Sequence, residues 1–152
     1  MPEAARALGT AAIVVTGTVG CLSWRALRLA PDDPNRLVAE LRLAQIGALV
    51  LAFVGAAYAG VAVAQPHVQG TALDVALAVG FTGLSATAML REPRQALTLV
   101  ALGALAHAVV DVLHRPGLLP DVVPRWFTVG CAVQNLVMAA AFFLPVGQRE
   151  RR

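Results

Sequence analysis

The sequence predicts an all-α integral membrane protein: one helical-bundle domain, residues 1–152, of about five transmembrane helices with the N-terminus out and the C-terminus in. Three observations carry this. Of 152 residues, 58% are hydrophobic and 14% charged, with mean hydropathy +0.70, whereas soluble domains carry about 25% charged residues. Five apolar stretches approach the ~20 residues that a helix rising 1.5 Å per residue needs to cross about 30 Å of hydrocarbon. The arginines gather between alternate stretches, as topology by positive charge requires. Disorder would need low hydrophobicity and high net charge, and two cysteines are too few for a disulfide scaffold.

The first stretch, Ala7 to Trp24, ends at Arg25 and Arg28, whose stems can snorkel to the headgroups. Its Thr18-Val19-Gly20-Cys21 faintly resembles the end of a lipoprotein signal. Threonine is a poor residue three before the cysteine, and the arginine-rich loop that follows opposes the orientation of a signal, so the stretch reads as a retained span. The second, Leu43 to Ala64, carries no charge. The third, Ala72 to Leu90, carries Asp74 alone, and the fourth, Ala96 to Leu113, Asp111 alone. The fifth, Trp126 to Leu144, is again uncharged. Between them lie Pro31-Asp32-Asp33-Pro34-Asn35, Gln65 to Gly70, Arg91-Glu92-Pro93-Arg94 and Arg115-Pro116-Gly117, each combining helix breakers with polar groups.

With the N-terminus outside, Arg25, Arg28, Arg36, Arg42, Arg91, Arg94, Arg149, Arg151 and Arg152 lie inside and only Arg6, Arg115 and Arg125 outside. The expected location is a bacterial cytoplasmic membrane, crossed several times. All twelve basic residues are arginine, the mark of a GC-rich genome. A net charge of +3 and a pI near 9.7 do not make a nucleic-acid binder, because the arginines form no run or basic helix face. Small-residue pairs, Thr16 with Gly20, Gly55 with Ala59, Ala56 with Gly60 and Ala104 with Ala108, suit close helix packing within a bundle, a homo-oligomer or a larger membrane complex.

The chemistry concentrates in the fourth span, His107-Ala-Val-Val-Asp111-Val-Leu-His114. At about 100° per residue these three side chains fall within about 40° of one another on one helix face. Ionisable groups in a span usually face a bundle interior, a cavity or a pathway. By helical rise His107 sits roughly 10 Å below the outer surface, and Gln134 and Asn135 of the fifth span roughly 12 to 14 Å below it. Asp74 begins the third span. These groups can converge on one pocket in the outer half, roofed by His67 and Asp121.

Such a pocket admits three chemistries. His107, Asp111 and His114 could ligate a metal ion. His107 with Asp111 could act as general acid and base on a lipid-soluble substrate, with His114, Asp74, Gln134 and Asn135 binding it. The carboxylates could hold the polar end of a quinone or similar lipophilic ligand. A plainer reading has Asp111 paired with Arg115 in its own helix, Asp74 favoured by the helix dipole, and His107 satisfied by one partner such as Asn135. No His-x-x-x-His, Cys-x-x-Cys, P-loop or dinucleotide fingerprint occurs, so no motif names a cofactor. Haem ligation by two histidines usually draws on two helices, and a third intramembrane histidine is absent. Cys21 and Cys131 lie at opposite depths, too far apart for a disulfide.

From Leu41-Arg42-Leu43-Ala44-Gln45-Ile46-Gly47, through Arg91-Glu92-Pro93-Arg94, to Ala106-His107-Ala108-Val109-Val110-Asp111, the layout resembles small bacterial DoxX-like membrane proteins. These place a charged residue before a glycine-containing span, then an arginine-bearing turn, then a span ending in aspartate. Members are often membrane subunits linked to quinone-dependent oxidoreductases and otherwise have no known role, so the resemblance implies such a subunit or no particular activity. The chain departs from it in having five spans where four are usual, and in its histidines. The reading is therefore a membrane protein whose His/Asp pocket binds a lipophilic small molecule or quinone. Two alternatives stand beside it: a membrane-embedded isomerase or cyclase using Asp111 and His107, and an accessory subunit without chemistry of its own.

Overall fold

A computed structural model describes residues 3–64, 71–114, 119 and 123–148. They form α1 (Glu3–Arg28), α2 (Pro34–Ala64), α3 (Thr71–Met89), α4 (Pro93–Leu113) and α5 (Arg125–Gly147), with no strand among the described residues. All five helices are long and apolar enough to cross a membrane. Cross-helix bonds fix their alternating direction. Ser23 of α1, Arg36 of α2 and Arg94 of α4 all reach the last turns of α5. Tyr58 of α2, Asp74 of α3 and Asn135 of α5 meet the last turns of α4.

The second helix begins at Pro34, not at Leu43. Asp33 ends the turn before it: its carboxylate accepts the Asn35 backbone N–H at 2.8 Å, and Pro34 fills the first helical position, where no N–H is needed. At 31 residues α2 is about 46 Å long, against about 30 Å of hydrocarbon. Its added turns carry Arg36 and Glu40, which hydropathy places in a loop and which are instead buried and paired, Arg36 Nε donating to Glu40 Oε1 at 2.8 Å.

The end of α5 explains that burial. Pro145 lies inside α5 and has no N–H for the Ala141 carbonyl four residues earlier. The Ser23 hydroxyl donates to that carbonyl at 2.6 Å. Arg36 then donates to the Pro145 carbonyl at 3.2 Å and Arg94 to the Val146 carbonyl at 3.2 Å. Two cations thus satisfy the final carbonyls of α5, where the helix dipole favours positive charge.

The bundle has two chemically different halves. At the arginine end Val19, Leu43, Leu97, Val100, Met138 and Phe142 are buried together in an apolar cluster, and the buried polar groups there are Ser23 and the Arg36–Glu40 pair. Toward the other end the buried groups are Asp74, His107, Asp111, His114 and Asn135. Glycines let the helices approach: a Cβ on Gly47 would meet Phe142 and Val100, and one on Gly55 would strike the Cβ of Phe81. Gly60 and Gly20 face open space, so the pairs they form with Ala56 and Thr16 do not pack helices within the described chain. Gly55→Leu is therefore expected to cost about 1–3 kcal/mol by overpacking α2 against α3, while Gly60→Leu stays within about 0.5 kcal/mol of wild type in a detergent unfolding titration. Equal effects of the two would contradict this packing.

Candidate functional site

The site is assembled from four helices around Asp111 on α4. Tyr58 of α2 donates its hydroxyl to Asp111 Oδ1 at 2.8 Å, and Asn135 of α5 donates Nδ2–H to Oδ2 at 2.8 Å. His107, one turn earlier on α4, has Nδ1 3.3 Å from the same Oδ2 and 3.1 Å from Asn135 Nδ2. Nδ1 thus faces a donor, the Asn135 amide, and an acceptor, Asp111 Oδ2: accepting from Asn135 puts the proton of a neutral His107 ring on Nε2, and donating to Asp111 keeps it on Nδ1. That Nε2 is buried and has no hydrogen-bond partner among the described residues.

His114 makes a second pair. Its Nδ1 lies 2.9 Å from the Val110 carbonyl and its Nε2 2.9 Å from Asp74 Oδ1 on α3. Both ring nitrogens thus face oxygens that accept, so one proton more than a neutral imidazole and a carboxylate supply must lie along the bonds. Imidazolium with carboxylate, or imidazole with carboxylic acid, satisfies the geometry equally. Either leaves a buried pair with no net charge, the form that low-dielectric surroundings tolerate. The second oxygen of Asp74 is buried without a partner among the described residues.

Tyr58 joins the two pairs. While its hydroxyl bonds Asp111, its ring stacks on His114 with centroids 3.8 Å apart and planes 8° from parallel. Phe81 of α3, held close by Gly55, packs a tilted ring 4.8 Å from His107. Phe127 of α5 meets Tyr58 edge-on. Aromatic rings therefore wall a string of polar groups running from Asp74 to His107. Toward the arginine end the next buried side chains are mainly apolar, and the buried Ser85 hydroxyl among them bonds none of the string.

His107, Asp111, Asn135, His114 and Asp74 are thus brought together. Gln134 is not: it is half-buried, one residue and about 100° around α5 from Asn135, and no bond joins it to the cluster. His107, Asp111 and His114 do not form a metal set, since among the described residues no three His, Cys, Asp or Glu groups converge on one point. The reason is that Nε2 of His114 turns to Asp74 and Tyr58 lies against its ring. His67, Arg115 and Asp121, expected as a roof and an ion-pair partner, lie outside the described residues. Cys21 and Cys131 are free thiols.

Three further residues are missing from the sequence-based site. Tyr58 sits in an uncharged span, where its lone phenol was the available signal, since a buried hydroxyl needs a partner. Arg36 and Glu40 stand at i,i+4 spacing, which was the signal for their pair. No protein-family model, curated protein or solved structure matches the chain.

Proposed function

We propose that this small multi-pass membrane protein holds the carbonyl oxygen of a lipophilic molecule, a quinone or related ketone, at His107 Nε2. The observation that carries the reading is the buried His107 Nε2 without a hydrogen-bond partner among the described residues, which is the donor when Nδ1 accepts from Asn135. An unmatched donor at such depth costs about 1–3 kcal/mol, which a carbonyl oxygen would remove. The Asn135 amide, oriented by its bond to Asp111, favours the tautomer that presents the donor, and the Phe81 and Tyr58 rings offer flat apolar walls to a planar ring. The apolar layer beneath favours a one-sided binding site over a path across the membrane. The DoxX-like layout points to the same ligand class.

The test is mass spectrometry of lipids extracted from protein purified in mild detergent. Wild type is expected to retain a quinone or ketone lipid, and His107→Phe at least about tenfold less, the equivalent of one hydrogen bond of roughly 1.4 kcal/mol. Identical extracts from the two proteins would sink the reading. A second reading, an isomerase or cyclase acting on the same ligand class, draws on the proton held between His114 and Asp74 beside Tyr58. Turnover by the purified chain alone distinguishes it from a binding subunit.

In this reading the site faces outward in a bacterial cytoplasmic membrane, since Arg25, Arg28, Arg36, Arg42, Arg91 and Arg94 share the opposite end. A reporter joined after the last residue is expected to read cytoplasmic, and an external reading would reverse the orientation.

A further inference from the structure

At the arginine end, far from the histidines, α1 and α2 leave a cavity of about 130 Å³ lined by Leu22, Arg25, Asn35, Val38, Ala39 and Arg42. The charges around it divide into two kinds. Arg36 is bound to Glu40, Arg94 to the Val146 carbonyl, and Arg28 lies 4.5 Å over the Trp24 ring. Arg25 and Arg42 have neither an ion pair nor a hydrogen bond among the described residues, and both line the cavity. No lining residue is acidic. The carboxylate of Asp33 is engaged by the Asn35 amide at 3.0 Å and its backbone N–H at 2.8 Å.

Two unpaired guanidiniums on facing helices present forked donors to a tetrahedral anion, and arginine matches phosphate oxygens two at a time. The cavity is several times the ~30 Å³ share of a water molecule. It has room for a phosphate group with its ester oxygens and none for acyl chains. Leu22 and Val38 make one side apolar, and Leu37, Val38 and Leu41 continue an exposed apolar surface along α2. Trp24, also exposed, stands at this end as interfacial tryptophans do.

We propose that the α1–α2 cavity binds the phosphodiester of an anionic membrane lipid between Arg25 and Arg42, with the acyl chains lying on the apolar surface of α2. Basic pockets between membrane helices recognise lipid headgroups in this way. Because both arginines are exposed and unbonded, their replacement leaves the fold without a lost partner.

The experiment is native mass spectrometry of the full chain in detergent, titrated with phosphatidylglycerol, with zwitterionic phosphatidylcholine and with inorganic phosphate. Wild type is expected to bind one phosphatidylglycerol at least about tenfold more tightly than phosphatidylcholine. Arg25→Gln/Arg42→Gln is expected to abolish the preference, with an unchanged unfolding midpoint in lipid-free detergent. Arg91→Gln, at the same end but outside the cavity, is expected to keep it. A preference surviving in Arg25→Gln/Arg42→Gln, or lost equally in Arg91→Gln, overturns the site. Displacement of the lipid by equimolar inorganic phosphate overturns the lipid as its occupant.

Discussion

Arg36→Met is expected to destabilise the detergent-solubilised protein by about 3–5 kcal/mol, the cost of leaving a buried charge without its partner. Arg36 and Glu40 are among the largest fully buried side chains, and Glu40 has no other cation within bonding distance among the described residues. The substitution also strips the Pro145 and Leu29 carbonyls of a donor. Chemical unfolding followed by circular dichroism reads the loss. Arg36→Met/Glu40→Met should recover most of it, since two apolar side chains of similar size replace a buried pair at little cost. Recovery stays incomplete because the Pro145 carbonyl remains without its donor. A loss below about 1 kcal/mol would mean a solvated pair of the surface kind, and the α5 cap described above would then be wrong.

The second large effect is expected at Asp111. Asp111→Asn preserves shape and breaks complementarity: whichever way the new amide turns, its N–H faces either the Asn135 amide or the Tyr58 hydroxyl, both of which donate to Asp111. One buried donor is left unmatched, at about 1–3 kcal/mol. Tyr58→Phe removes the hydroxyl and keeps the ring on His114. In the double variant the two losses should fall short of their sum by about 1–2 kcal/mol, as for residues sharing one bonded network. Additive losses would show that Tyr58 and Asp111 are not coupled. The double variant also bears on ligand retention, because Asp111 orients the Asn135 amide that bonds His107 Nδ1.

Much of the fold was legible because the bilayer imposes one rule. Backbone polar groups in hydrocarbon must be satisfied within their own segment, so a run of about 20 apolar residues becomes a helix. The runs ending at Leu113 and Ala64 therefore end helices at those residues. The same rule misled at Leu43, because hydropathy stops at Arg42 while the helix continues to Pro34. Only a partner helix with carbonyls to offer makes Arg36 cheap to bury, and that partner lies over a hundred residues away at Pro145.

The site divides along the same line. Helical periodicity alone placed His107, Asp111 and His114 on one face of α4, because their spacing returns to the same azimuth. It could not say where each would turn. His114 looks across to Asp74, Asp111 to Tyr58 and Asn135, and Gln134 away from the cluster, and these choices follow from which helix stands beside which. The small-residue pairs make the point for packing, since Gly55 meets Phe81 and Gly60 meets nothing, though both satisfy one spacing. The sequence by itself determined the helices, their membrane character and the polar stripe of α4, since these depend on local hydrophobicity and on the period of one helix. The tertiary structure decided the partners that buried polar groups find on other helices, because such a hydrogen bond is settled by distance and direction between helices.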